Sequence, residues 1–337
     1  MSSEPVTIKE IAKSLGMSST TVSRVLNGQS KKYRISARTE QIVRDTALKL
    51  DFRPNQVARN LRLQKTNTIG LVIPDISNPF FAKLAGAADN ELRSLGKFIL
   101  LSDTHDDTQL EKETISLLLD RKVDGLLIAP VGLEFEHFKS LENIPIVLID
   151  RYFDELNIPY ASTDNFEAAL KATQYLIRKG HHDIACIQGL TNTKPNKERV
   201  RGFYEAVNMA GIAKGGIVLA GSDFSIENGL EVTRELLRQP KVPTAIFALN
   251  NQIAIGALKA INDANLRIPA DISVISFDDQ PYFELTSPPI TTVRQPVYDL
   301  GTEAVKMLFE LMNNNPVKNK LLPGQIIERK SVRALNS

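Results

Sequence analysis

The sequence predicts an α/β protein built from an N-terminal all-α helix-turn-helix head and a two-lobed core of doubly wound parallel sheets. Three observations lead to this prediction. Helix signals around a glycine turn occupy residues 5–62, and from residue 68 onward short apolar runs alternate with helical patterns. Charge divides at the same place: residues 1–65 hold 13 basic and 5 acidic side chains, net +8, whereas the remainder holds 28 and 34, net −6. A basic head therefore precedes an acidic body.

Length and composition set the class of protein. A chain of 337 residues exceeds what one hydrophobic core usually organises, which favours roughly two to three domains. The single cysteine, Cys186, excludes an internal disulfide framework and fits a reducing compartment. No signal peptide pattern opens the chain, and no apolar run approaches the roughly 20 residues that span a bilayer. We expect a cytoplasmic protein without a membrane partner.

Local capping signals predict three helices in the head. Thr7 and Glu10 have the spacing of a capping box, and Gly16 ends the helix that they begin. Ser18 can cap the second helix and Ser36 the third. The compact three-helix head is predicted to span residues 1–53.

The second helix is predicted to contact bases of double-stranded DNA. Its outward face carries Ser19, Thr20, Ser23 and Arg24. An arginine can form a bidentate pair with guanine, and hydroxyls can bond to either donors or acceptors on base edges. The basic head can also neutralise phosphates, whereas an acidic body is repelled by them. The alternative for the second helix is an ordinary capped helix start, and the alternative for the basic head is a merely solvated charged surface.

A short helix signal at residues 55–62 follows the head. Asn55 can cap it, but a helix of about eight residues is too short to be stable alone in water. We expect it to form only when something holds it. Residues 54–67 are thus predicted to be a hinge helix and linker, and residues 68–337 the core.

Alternating strand and helix patterns predict two lobes in the core. The first lobe is assigned to residues 68–163 and 294–322, and the second to residues 164–293 and 323–337. Three chain crossings between lobes permit closure around a ligand. Ligands of such sheets collect beyond the carboxyl ends of strands. The side chains predicted at those ends are Asn78, Phe80, Asp103, Asp150, Asn250 and Asp278.

Sequence motifs occur in a fixed order along nearly the whole chain. They are Val6–Ala12, Thr20–Asn27, Pro54-Asn55, Ala58–Leu61, Thr68–Pro74, Asn78–Phe81, Val123–Leu127, Gly202-Phe203, Ser273–Asp278 and Ile327–Val332. Through them the chain resembles the lactose-repressor and purine-repressor (LacI/GalR) family. The resemblance implies a homodimeric transcriptional regulator, a repressor, with a periplasmic-binding-protein-like core. Its operator would be pseudo-palindromic because two identical heads read two half-sites, and a sugar-like effector between the lobes would control its operator affinity.

The resemblance also implies roles for individual residues. The candidate DNA contacts are Thr7, Ser18, Ser19, Thr20, Ser23, Arg24, Asn27, Asn55, Ala58, Arg59 and Leu61. Leu61 matches a leucine that wedges between base steps, and such wedges bend DNA. Arg199, Phe224 and Asn250 join Asp150 and Asp278 as effector contacts. The residues alone leave three alternatives open. Arg199 can be an exposed ion-pair partner, Phe224 a core aromatic and Leu61 a plain apolar residue.

Two departures from the family pattern stand out. The segment Gly28–Ile35 is about three residues longer than is common in the family, and its Lys31, Lys32 and Arg34 can add phosphate contacts. Asn251 stands where the family often has an aspartate, which can alter effector choice.

Other classes of function fit less well. A periplasmic sugar-binding protein would need a signal peptide and no helix-turn-helix. An enzyme would need a nucleophile with a base, a metal cluster or a phosphate loop, and the only histidine pair, His181-His182, lies in a turn. We therefore expect no catalytic residues, no metal and no cofactor. Without sustained apolar heptads near the C-terminus, a dimer is preferred over a tetramer.

Overall fold

The computed structural model describes residues 6–52, 65–132, 134–141 and 143–335, and it divides into two compact units, Met1–Lys65 and Thr66–Ser337. In the first unit, three helices surround a small apolar core. They are α1 (Ile8–Leu15), α2 (Ser19–Leu26) and α3 (Ala37–Lys49). The side chains of Ile11, Val22, Val25 and Val43 are fully buried between them. The three-helix head that the sequence predicts is confirmed.

The predicted helix caps of the head are confirmed as well. The backbone N–H of Glu10 donates to Thr7 Oγ1 at 3.3 Å, and the N–H of Thr7 donates to Glu10 Oε2 at 2.6 Å, which is a reciprocal capping box. Ser18 and Ser36 each accept a hydrogen bond from the backbone N–H three residues later. Gly16, with φ of +61°, ends α1 in the left-handed conformation that a glycine adopts without strain.

A six-stranded parallel sheet forms the first lobe of the second unit. Its strands are β1 (Thr68–Ile73), β2 (Phe98–Asp103), β3 (Gly125–Ile128), β4 (Ile146–Ile149), β5 (Tyr160–Thr163) and β11 (Lys320–Leu322). They lie in the order β11-β5-β4-β3-β1-β2. Helices α4 (Pro79–Ser94) and α5 (Thr108–Asp120) connect the first three strands, and a 3₁₀ turn (Glu136–Ser140) precedes β4. The apolar runs of the sequence form the central strands, whose side chains are almost all buried.

The second lobe repeats this design. Its strands are β6 (Ile184–Ile187), β7 (Ile217–Ala220), β8 (Ala245–Ala248), β9 (Ser273–Phe277), β10 (Thr291–Arg294) and β12 (Gln325–Ile327), and they lie in the order β12-β10-β9-β8-β6-β7. Its helices are α6 (Asn165–Arg178), α7 (Lys194–Met209), α8 (Ile226–Leu237), α9 (Asn251–Asp263) and α10 (Tyr282–Leu285), with a 3₁₀ turn at Lys214–Gly216. Only β12 runs antiparallel to its neighbour among the described strands.

The chain passes between the two sheets three times. It leaves the first sheet after β5, returns after β10 through α11 (Val297–Met312), and crosses again between β11 and β12. Helix α11 packs against α4 and against strands β3, β4 and β5 of the first sheet. Because the described strands other than β12 run parallel within each sheet, their carboxyl ends can meet across one cleft. None of the described helices combines the length and the apolar character needed to cross a membrane.

Candidate DNA-binding surface and ligand cleft

The predicted DNA-contacting side chains of the head fall into two groups. Thr7, Ser18, Ser23 and Asn27 are engaged in hydrogen bonds within the head, and Asn27 Nδ2 donates to the carbonyl of Ser23 at 2.6 Å and to its Oγ at 3.3 Å. Ser19 and Thr20 are exposed at the start of α2, and within the described residues their side chains make no hydrogen bond. The hydrogen bonds of the first group stabilise the ends of α1 and α2. The hydroxyl groups of Ser19 and Thr20 are therefore the ones available to a ligand.

Arg24 lies half-buried one turn further along α2. Its guanidinium carbon is 3.8 Å from the centre of the Tyr33 ring, and within the part of the chain that the structure describes it forms no ion pair. The hinge candidates Asn55, Ala58, Arg59 and Leu61 lie outside the described residues.

A cleft of about 230 Å³, open to solvent, lies between the lobes of the second unit. It lies beyond the carboxyl ends of strands, where sheets of this kind bind small molecules. Seven of the eight predicted effector contacts line it, namely Asn78, Phe80, Asp150, Arg199, Phe224, Asn250 and Asp278. The eighth, Asp103, is outside the lining, because its carboxylate accepts hydrogen bonds from the backbone N–H groups of Ile76 and His105, both at 2.9 Å.

Arg199 projects from α7 into the cleft and is only 4% exposed. Its Nε donates to Asn165 Oδ1 at 2.8 Å, and its Nη1 donates to the carbonyl of Leu249 at 2.6 Å. The guanidinium carbon lies 3.7 Å from the centre of the Phe277 ring. Burial lowers the pKa of Arg199, and the carboxylates of Asp278 and Asp150 oppose this shift. The alternative of an exposed ion-pair partner is wrong for this residue.

Asp278 follows β9, and its carboxylate is held by a residue in the link where the chain crosses from the second lobe to the first. Gln295, in the link after β10, donates its Nε2–H to Asp278 Oδ1 at 2.5 Å and accepts a hydrogen bond from Thr163 Oγ1 at 2.6 Å. Thr163 ends β5 in the other sheet. This relay ties a cleft carboxylate of the second lobe to the first lobe.

Asp150 faces the cleft from the first lobe, directly after β4. Burial raises the pKa of its carboxyl to about 6, although Arg199 and Arg151 both favour the charged form. Its Oδ1 is buried without a hydrogen-bond partner in the described structure. A buried, unpaired carboxylate oxygen is costly unless a ligand donates to it.

The remaining predicted residues shape the cleft walls. Asn78 and Asn250 cap α4 and α9 with their side-chain oxygens. Phe80 packs edge-on against Phe81 with ring centres 5.0 Å apart. The Phe224 ring both lines the cleft and packs against the core of the second lobe, so its core position is compatible with the predicted effector contact, which stays a prediction. A Cβ on Gly189 would lie 2.0 Å from this ring, so any larger residue there would force the ring to move.

Sequence reasoning missed a second set of cleft-lining residues. They are Asp75, Phe81, Asp106, Arg151, Pro195, Asp223, Ser225, Gln252 and Gln295. Asp75 and Arg151 follow strands that the sequence predicts, so a consistent use of the strand-end rule would have found them. Gln295 follows β10, a strand that the sequence did not predict. Asn251, the departure from the family pattern, is buried outside the lining; its Nδ2 donates to Tyr282 Oη at 3.2 Å, and its backbone N–H contacts Asp278 Oδ2 at 3.4 Å. Its influence on a ligand is expected to pass through Asp278.

This arrangement can bind and orient a polar molecule. Carboxylates accept hydrogen bonds from hydroxyl groups, the arginine donates them, and aromatic faces cover apolar ring surfaces. A basic helix-turn-helix head on a two-lobed core with such a cleft defines a ligand-responsive DNA-binding protein.

Comparisons with known proteins agree with this class. The model for the lacI family of bacterial regulatory proteins matches residues 7–55, and the model for the periplasmic binding protein-like domain matches residues 173–332. The ribose operon repressor of Halalkalibacterium halodurans is 34% identical over 329 residues, which are 97% of each chain. The chain belongs to the lacI family and is a transcriptional regulator, as the sequence predicted.

Solved structures give the same result for the fold. The Lac repressor dimer bound to operator and the anti-inducer ONPF has a TM-score of 0.89 and 28% identity, covering 98% of this chain and 100% of that one. A LacI family regulator from Enterococcus faecium with bound ribose has a TM-score of 0.73 and 28% identity, covering 80% and 100%. The predicted fold is confirmed, and these relatives are named as regulators rather than enzymes.

Proposed function

We propose that this chain represses transcription as a cytoplasmic homodimer whose operator affinity is controlled by an uncharged, hydroxyl-rich effector bound between the lobes and released chemically unchanged. The observation that carries this proposal is the buried group of Arg199, Asp150 and Asp278, which faces one cleft from both lobes. A sugar supplies the hydroxyl donors that Asp150 Oδ1 lacks, and ribose in the Enterococcus faecium regulator gives a first probe.

The charge of the cleft argues against an anionic effector. Its lining holds five aspartates, Asp75, Asp106, Asp150, Asp223 and Asp278, against the two arginines Arg151 and Arg199. Asp106 already pairs with Arg151 at 2.8 Å. Lys194, a conceivable partner for a sugar acid, pairs with Asp154 at 2.6 Å and Glu198 at 3.2 Å. An anionic ligand would therefore meet net repulsion.

Calorimetric titration with ribose, other neutral sugars and sugar phosphates tests the effector class. We expect binding by one or more neutral sugars and none by the phosphates.

Effector affinity should also differ between the free protein and its complex with a duplex selected from a randomised pool, because coupling between two sites is reciprocal. Equal affinities in both states would remove the regulatory part of the proposal.

Arg24→Ala tests the DNA surface. Loss of one bidentate base contact costs about 1–3 kcal/mol, so affinity for the selected duplex should fall about tenfold or more, with little change on random duplex. Arg44→Ala is the matched control, since it removes the same charge from an exposed residue of α3 that pairs with Glu40. Fluorescence anisotropy on both duplexes measures the effect. Equal losses for the two variants would contradict a base-reading role.

The exposed edge of the first sheet supports the homodimer, the state in which the Lac repressor was solved. Strand β2 is an edge strand, and it exposes 62% of Phe98 and 40% of Leu101. Apolar edge strands of this kind are normally covered. We expect Phe98→Lys to shift the protein to monomer in sedimentation velocity, while Met209→Lys, 65% exposed at the end of α7, leaves the dimer intact. An intact dimer with Phe98→Lys would place the interface elsewhere.

A further inference from the structure

The long segment between α2 and α3 holds an aromatic ring against the proposed base-reading arginine. The Arg24 guanidinium carbon lies 3.8 Å from the centre of the Tyr33 ring, a distance at which the cation rests on the ring. Tyr33 is 41% exposed, so the pair sits at the surface of the head. Tyr33 lies within Gly28–Ile35, the segment that departs from the family pattern.

Backbone hydrogen bonds fix the start of this segment. Gly28, with φ of +68°, donates its N–H to the carbonyl of Val25, and Gln29 donates to the carbonyl of Arg24, each at 2.9 Å. These two bonds form a Schellman motif, which ends α2 and sets the direction of the following chain.

The rest of the segment is also anchored. The N–H of Tyr33 donates to the carbonyl of Gln29 at 3.1 Å, and the N–H of Ile35 donates to that of Ser30 at 2.9 Å. Ser30 is only 3% exposed, and Ile35 packs against the apolar core of the head. The Tyr33 ring is therefore placed by the fold of the segment.

We propose that Tyr33 is a positioning residue that sets the DNA sequence preference of the head by holding Arg24 ready for a base contact. The ring contact is made at the guanidinium carbon, and within the described residues the guanidinium N–H donors have no hydrogen-bond partner, so they stay available to guanine. The ring restricts a flexible side chain before binding, which lowers the entropic cost of the contact. This inference rests on the proposed role of Arg24.

Fluorescence anisotropy with the full-length protein on the selected and the random duplex tests the proposal. Tyr33→Ala should weaken binding to the selected duplex about 2- to 5-fold, the size of one exposed cation–π contact, and leave random duplex unchanged. Tyr33→Phe keeps the ring and should bind like the unaltered protein. Lys31→Ala, from the same segment, should weaken both duplexes alike and lower the salt dependence of binding.

A double-mutant cycle separates positioning from folding of the segment. In an Arg24→Ala background, Tyr33→Ala should have no further effect on the selected duplex, because the group that it positions is gone. An equal loss in both backgrounds would overturn the proposal, as would a loss in Tyr33→Phe as large as that in Tyr33→Ala. If the unaltered protein showed no preference for any selected duplex, the proposed function itself would fail instead.

Discussion

Replacing Arg199 with alanine is expected to abolish effector binding and to destabilise the core by about 3 kcal/mol or more near neutral pH, as when a buried charge network loses one partner. The substitution removes hydrogen bonds to Asn165 and Leu249 and leaves the carboxylates of Asp150 and Asp278 facing each other without the buried cation. Urea unfolding and calorimetric titration with a neutral sugar measure the two effects.

The same helix offers a matched control. Arg201 lies two residues further along α7, is 61% exposed and pairs with Glu198. Arg201→Ala removes the same side chain from a solvated position, so its unfolding free energy should change by less than about 1 kcal/mol and effector binding should persist. Comparable losses in both variants would show that Arg199 has no special place in the cleft.

Changing Asp150 to asparagine is expected to stabilise the protein by about 1–3 kcal/mol near neutral pH while it weakens effector binding at least tenfold, since a charged hydrogen bond contributes about 1.5–3 kcal/mol. Burial raises the pKa of this carboxyl to about 6. Asparagine has the same shape and tolerates the left-handed backbone at this position, where φ is +64°. The variant therefore removes the cost of burying a charge but loses the acceptor for effector hydroxyls.

The pH dependence of stability gives a second measure of Asp150. Its folded-state pKa lies above the unfolded value of about 4, so the folded protein binds more protons between about pH 4 and about pH 6. The contribution of this group to unfolding free energy consequently falls as pH rises through that window. Asp150→Asn should flatten this part of the profile, whereas Asp120→Asn, an exposed residue at the end of α5, should leave it unchanged. An unaltered profile in Asp150→Asn would refute the assignment.

Combining the two substitutions tests whether the residues act together. Asp150→Asn should recover part of the stability that Arg199→Ala loses, because one of the unpaired carboxylates is then gone. Residues in one buried network couple in this way, and additive effects would indicate independent sites.

Short-range signals made the head and most of the core predictable. Thr7, Ser18 and Ser36 cap helices through bonds that span three residues, so the local sequence contains all that these caps need. The central strands could be found because they are buried on both faces and appear as continuous apolar runs. Strands β5 and β10 were not predicted, since Ser162, Thr163, Thr291 and Thr292 make them look polar although they are buried.

The sequence by itself determined the class of this protein: a basic helix-turn-helix head, a two-lobed parallel core and seven of the sixteen residues that line one cleft. Only the tertiary structure decided that Asp103 accepts hydrogen bonds from two neighbouring loops, that Gln295 links Asp278 to Thr163, and that Tyr33 lies on Arg24. The physical reason is distance along the chain. Periodicity and capping are local, whereas these contacts depend on strand order, chain crossings and the path of a turn, which exist only once the chain has folded.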